Sequence, residues 1–295
     1  MHEGEVGAYD GSPYDFFLEK NLLPRRPENG QSALYYSRHL ATLIEDLRSP
    51  KFVTPREGRF RIVKQEFRFG PEELAGCKIF FTLATPRAEA ARRQGGIGNC
   101  LACHEAPHFT DFGFHNTSAS QEEYDEVHGS GAFARLPLPG LEERNRHVDA
   151  YLPPTARHPE ARGPFMAIPA LGQPGRADLG LWNVFANPDL PASQPPLRQL
   201  LGLSGPLESE AAILPKTIAL FKTPSLRGLA LSDPYLHTGR KDSLEAVIRF
   251  YISFSQLARS GLVRNPAPEM QKIHLSPEDI PPLVAFLKSL NEDYD

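Results

Sequence analysis

The pentapeptide Cys100-Leu101-Ala102-Cys103-His104 constrains what this chain can fold into more than any other stretch. It reads C-x-x-C-H, and the spacing has a chemical sense. On a helical turn, residues three apart lie on one side of the backbone. Both thiols can therefore form thioethers with the vinyl groups of one haem, and the histidine that follows can reach the iron as an axial ligand. Two other readings stand beside this one. A zinc site would use Cys100, Cys103 and distant histidines, and a redox dithiol would need the cysteine pair alone. A closed structural zinc site takes four ligands, and the remaining cysteine, Cys77, has no C-x-x-C partner. The surrounding sequence has to decide among the three.

The chain has 295 residues, enough for one large domain or two small ones, and its net charge of -4 leaves no general electrostatic footprint for nucleic acid. Its 29 prolines are roughly twice the usual share, so long ordered loops are expected around a modest core. No run of about 18 apolar residues occurs, and no transmembrane segment is expected. Met1 to Gly11 is acidic and Gly-rich and lacks the basic and apolar regions of a secretory signal. Covalent haem attachment in bacteria takes place outside the cytoplasm, so a periplasmic location is expected. The start is then that of a mature or trimmed chain, or of a frame beginning inside a longer gene.

Along the chain, residues 1–31 carry one aromatic knot, Tyr14, Phe16, Phe17 and Leu18, read as a loop or short helix lying on something larger. Ser32 is an N-cap for a helix over 32–47, with Tyr36, Leu40, Leu43, Ile44 and Leu47 on one face. Alternation between Phe52 and Phe69 suggests short extended pieces. Gly70-Pro71-Glu72-Glu73 starts a helix with proline at its first position and acids in its first turn. Its apolar face carries Leu74, Cys77, Phe80 and Phe81, and Gly76 permits close approach of another helix. Ser276-Pro277-Glu278-Asp279 opens a second such helix with Leu283, Val284, Phe286, Leu287 and Leu290. The fold class expected is mainly α, a c-type cytochrome domain over 70–295 with long Pro-rich loop insertions. Residues 1–69 are expected as linker or remnant of a preceding domain. The stretch 118–215 is expected as a loop-rich insertion anchored by Trp182 and Phe185.

Five further segments follow in order. They are Phe109-Thr110-Asp111-Phe112-Gly113-Phe114-His115-Asn116-Thr117, Phe221-Lys222-Thr223-Pro224-Ser225-Leu226-Arg227, Asp233-Pro234-Tyr235-Leu236-His237-Thr238-Gly239-Arg240, Ser243 to Tyr251, and Leu283 to Leu290. The series resembles the C-terminal haem domain of the bacterial di-haem cytochrome c peroxidase and MauG family, over roughly residues 70–295. The resemblance implies two haems: an N-terminal one that meets peroxide and a C-terminal, six-coordinate one that passes electrons to it. Three cysteines limit this chain to one covalent haem c. Gly11 to Leu18 is similar to the segment that closes the family's N-terminal domain, so the first half of a di-haem protein is expected to be missing from this chain.

The resemblance also implies a distal iron ligand on the helix after the P-Y-x-H-x-G motif, Met in the peroxidases and Tyr in MauG-like proteins, and the count lands on Tyr251. Met270, in a Pro-rich loop off the family register, is its rival. The competing reading of Tyr251 is one more aromatic on a core face. Arg227 is a candidate for a haem propionate through its planar fork, or for an ordinary surface ion pair. His115 and His237 lie inside family motifs. His108, His128, His147 and His158 read as surface residues, and Cys77 as an inert buried thiol. A calcium near the backbone carbonyls of Ser232 and Pro234 is implied by the family alone. The function expected is a c-type haem oxidoreductase in which this chain carries the electron-transfer haem. Its partners would be a small cytochrome, a cupredoxin or a protein substrate, together with a second haem domain. The alternative is a stand-alone mono-haem electron carrier.

Overall fold

The computed structural model describes residues 11–91, 95–203 and 208–293, so most of the Met1 to Gly11 lead-in lies outside the described residues. Helix accounts for 43% of the protein and strand for 6%, as a mainly α reading requires. In chain order the elements are α1 (Pro13–Lys20), α2 (Ala33–Glu45), α3 (Pro71–Phe81), α4 (Pro86–Ala91), β1 (Phe114–His115), α5 (Ala119–His128), α6 (Leu141–Arg146), α7 (Val148–Tyr151), α8 (Gln194–Leu200), α9 (Glu210–Ile213), β2 (Phe221–Lys222), α10 (Leu244–Arg259) and α11 (Ile280–Lys288). They divide between two compact units. One is Met1–Phe112, Thr223–Ser255 and Lys272–Asp295, and the other is Gly113–Lys222 with Gln256–Gln271. Among the described residues no helix is long and apolar enough to cross a membrane.

The first unit is built on the crossing of α3 and α11. The Glu73 carboxylate accepts the Gly70 N–H at 2.8 Å, closing the start of α3 as the Pro-Glu-Glu signal predicts. Asp279 does the same for α11, accepting from the Ser276 N–H at 2.8 Å and from the Gly96 N–H at 2.8 Å. A single turn over Pro277–Asp279 leads into the helix. At the crossing Gly76 is required: a Cβ there would lie 1.8 Å from the Pro282 carbonyl oxygen. Phe80, Phe81, Phe109 and Tyr14 then close around Phe286, with Phe80 and Phe286 centroids 5.1 Å apart.

Residues 11–69 are not a linker beside this core but part of it. Ser12 caps α1, its Oγ accepting the Asp15 N–H, and Tyr14, Phe17 and Leu18 are buried in the same apolar cluster as α3 and α11. Tyr36, Leu40 and Ile44 of α2 join them. The physical reason is the apolar stripe the periodicity exposed: an amphipathic helix has to bury that face somewhere. The helix expected over 32–47 runs over Ala33–Glu45, capped by the Ser32 hydroxyl. Of the extended pieces expected between 52 and 69, the described backbone keeps a bridge of Val53 with Phe69.

The second unit corrects the expectation of a loop-rich insertion over 118–215. It has its own core, with Trp182, Phe185, Phe133, Leu179 and Leu152 at 1% exposure or less. Its helices and turns are short and punctuated by Gly and Pro, which is why no long period marks them in the sequence. Trp182 and Phe185 are anchors as expected, but of this core. Arg144, fully buried, lies over the Trp182 ring at 4.8 Å and donates to the Trp182 and Phe185 carbonyls at 2.5 and 2.7 Å. Phe114 pairs antiparallel with Lys222 across β1 and β2.

Candidate functional site

The segment leading into the C-x-x-C-H motif is fixed to the end of α3. Gly98 N–H donates to the Ile79 carbonyl and Asn99 N–H to the Thr82 carbonyl, each at 3.0 Å. A Cβ on Gly98 would meet the Ile79 oxygen at 2.7 Å and the Cys100 sulfur at 3.0 Å, so only glycine lets the chain pass. Asn99 takes a left-handed conformation, φ 51°, which asparagine tolerates better than most residues. Its side-chain oxygen accepts from the Ala84 N–H at 3.2 Å. These contacts start a tight turn over Cys100–Ala102, closed by His104 N–H donating to the Cys100 carbonyl at 2.8 Å. Leu101 points into the first unit's core with no exposure, and the two cysteines flanking it are half-buried.

His104 is held from its far side. Its Nδ1 lies 2.7 Å from the Phe109 carbonyl oxygen. A carbonyl can only accept, so Nδ1 carries the proton and Nε2 carries the lone pair, the form in which a histidine binds iron. Burial pushes the Cys100 thiol up to about 12. Tyr251 is on α10. Burial first, then Cys103 and Cys100, raise its phenol above the ordinary range. The first unit thus holds two thiols on one turn, an imidazole whose Nδ1 proton is already committed, and a half-buried tyrosine on α10. Such a donor set fits a c-type haem: two sulfurs for thioethers and a nitrogen and an oxygen for iron.

Met270 is buried in the second unit, on the turn Pro268–Lys272. Arg227 corrects the reading of a surface ion pair, since it does not sit at the surface. It is buried, with Asp15 bidentate on its fork at 2.5 and 3.0 Å and Glu292 at 2.8 Å. The partners are far from it in sequence, which is why no local pattern announced them. Cys77 is buried on α3, as expected. His115 is on β1, and His237 is on an exposed turn. His158 is not a bare surface residue, because its Nδ1 lies 2.7 Å from Asp189. Ser232 and Pro234 are exposed. The Phe109 carbonyl, a main-chain atom, is the functional group that side-chain motifs could not reveal.

No protein-family model matches the chain. Among curated proteins it is similar to the methylamine utilization protein MauG of Methylophilus methylotrophus, 36% identical over 95 residues, 31% of this chain and 27% of that protein. It is similar to MauG of Methylorubrum extorquens, 40% identical over 75 residues, 25% of this chain and 19% of that protein. The cytochrome-c peroxidase IdrP1 of Denitromonas iodatirespirans is 32% identical over 77 residues, 26% of this chain and 19% of that protein. The matches therefore span 27% or less of the length of these relatives. Motifs and matched stretches agree: over the part they cover, the chain is a relative of the di-haem cytochrome c peroxidase and MauG family.

Proposed function

We propose that the chain is the electron-transfer module of an extracytoplasmic c-type haem oxidoreductase. It would carry one haem c on Cys100 and Cys103, with His104 and Tyr251 as the residues that would hold the iron. It would take electrons from a redox partner protein and pass them to a peroxide-reacting haem in another segment. The observation that carries this reading is the tight turn that sets both motif cysteines beside a histidine whose Nδ1 is committed to the Phe109 carbonyl at 2.7 Å.

Bound there, the group would supply reversible one-electron chemistry at iron. The chain's own residues do the rest. Cys100 and Cys103, on one tight turn, would hold the group as thioethers. His104 offers Nε2 while the Phe109 carbonyl holds the Nδ1 proton, which keeps the imidazole from rotating. Tyr251 would offer its phenol oxygen after losing the proton. With His104 and Tyr251 both committed to holding the group, the chain alone is expected to transfer electrons and not to turn over peroxide. A calcium near Ser232 and Pro234 belongs to the same family likeness and needs a ligand from outside those two residues.

Expression together with a haem-attachment system, followed by the alkaline pyridine spectrum, tests the reading. One c-type haem per chain is expected, and none in a Cys100→Ser/Cys103→Ser chain. Tyr251→Phe should change the ferric absorption spectrum. If it does not, while Met270→Leu does, the distal assignment passes to Met270. A wild-type chain without covalent haem refutes the proposal.

A further inference from the structure

We infer that the segment Thr223–Arg227 is a clamp that holds the Phe109 carbonyl on His104, which makes Arg227, Ser225 and Thr110 positioning residues for the axial histidine. The inference rests on the haem reading above and deepens it.

The argument begins with the backbone at Phe109. It is left-handed, φ 55°, on a bulky residue with no exposure, a conformation that persists only where the surroundings over-determine it. Left to itself the loop would relax to negative φ, and the Phe109 carbonyl would swing away from His104 Nδ1. What prevents this is a set of contacts made by neighbouring residues on both sides. The Pro107 carbonyl accepts from Arg227 Nε at 3.1 Å. The His108 carbonyl accepts from the Ser225 hydroxyl at 2.7 Å. The Thr110 hydroxyl donates to the Thr223 carbonyl at 2.8 Å. The Phe109 carbonyl, in the middle of that run, is the one turned to His104, at 2.7 Å.

The clamp is itself anchored. The Arg227 guanidinium is held by Asp15 of α1, by Glu292 near the C-terminal end, and by the Ser12 hydroxyl at 3.1 Å. It also lies over the Phe109 ring, 5.3 Å from its centroid. Ser225 ties the clamp together by accepting the Arg227 N–H at 3.1 Å. The motif reading of Phe221–Arg227 therefore gains a purpose that neither thioether formation nor iron ligation uses. Hydrogen bonding at Nδ1 makes Nε2 a stronger donor to a metal. Stronger donation favours the ferric over the ferrous state, so a loosened clamp should raise the reduction potential.

The test uses the haem-loaded chain as wild type, Ser225→Ala, Thr110→Val and the double variant. Ala75→Gly, on the exposed side of α3, is the control for a purely structural loss. Two quantities are read: the reduction potential, and the exchange rate of the His104 Nδ1 proton by NMR. In the double variant the expected change is about tenfold toward the ferrous form, about 59 mV upward for one electron. Proton exchange should be at least about tenfold faster, with smaller shifts of the same sign in the single variants and none in the control. Haem present, with potential and exchange unmoved in both single variants and the double, overturns the clamp and leaves the haem reading standing. A wild type without covalent haem removes both.

Discussion

Gly76→Ala is the sharpest probe of the first unit because local and tertiary effects oppose each other. In an isolated helix the change is favourable by about 1 kcal/mol. Here the new Cβ would lie 1.8 Å from the Pro282 oxygen, 2.4 Å from its carbonyl carbon and 2.9 Å from Phe286 Cβ. The first two are backbone atoms and cannot rotate away. Ordinary contact begins near 3.4 Å, so α11 has to retreat by about 1.6 Å along that direction. A gap of about 0.5–1 Å already forfeits a quarter to a half of a dispersion contact, and this interface is packed by Phe80, Phe81 and Phe286. The cost belongs at the top of the overpacking range, about 3 kcal/mol, and the propensity gain reduces it to about 2 kcal/mol. For a unit of this size that is a fall in Tm of about 4–8 °C. Urea unfolding followed by far-ultraviolet circular dichroism measures it. Ala75→Gly next door, exposed, should cost only the propensity term, about 1 kcal/mol. A Gly76→Ala chain as stable as wild type, or more so, would refute the close crossing of α3 and α11.

Gly98→Ala should displace Cys100 and lower covalent haem per chain, read from haem absorbance against protein, because its Cβ meets both Ile79 and the Cys100 sulfur. Arg144→Met should destabilise the second unit by about 1–3 kcal/mol for each carbonyl left without a donor, those of Trp182 and Phe185, measured by urea unfolding. Asp189 is held below the usual carboxylate range by hydrogen bonds from Thr155 and His158. A depressed folded value contributes stability above the unfolded pKa, about 3.9, and loses it as pH falls through the folded value. The advantage of wild type over Asp189→Asn should therefore be full near neutrality and shrink in acid. An advantage that stays constant in acid unfolding would contradict that pairing.

The elements legible in the sequence are those with local signals. The starts of α2, α3 and α11, the packing role of Gly76 and the turn carrying Cys100 and Cys103 each rest on residues within a few positions of one another. Long-range relations were not legible. Arg227 finds Asp15 and Glu292 across 212 and 65 positions, and no pattern in its own motif marks that choice. The second unit hid for another reason: Phe133, Leu152, Trp182 and Phe185 lie on short turns separated by Gly and Pro, so neither period of regular structure appears. At the candidate site the cysteines and histidine were plain. The carbonyl that sets the histidine was not, because it depends on a left-handed backbone at Phe109 rather than on a side chain.

The two helices that cross at Gly76, Pro71–Phe81 and Ile280–Lys288, are far apart in sequence, and this has a consequence for biosynthesis. As the polypeptide emerges in order, α3 waits for the residues up to Ile280 before α11 can cover it. Closing so long a loop is slow relative to forming local turns. During that interval Cys100 stands in water, where a thiol has a pKa of about 8.5, and not in the folded surroundings that push it to about 12. The unfolded chain therefore offers its sulfurs to modifying chemistry while they are still reactive, and folding of the first unit withdraws Cys100.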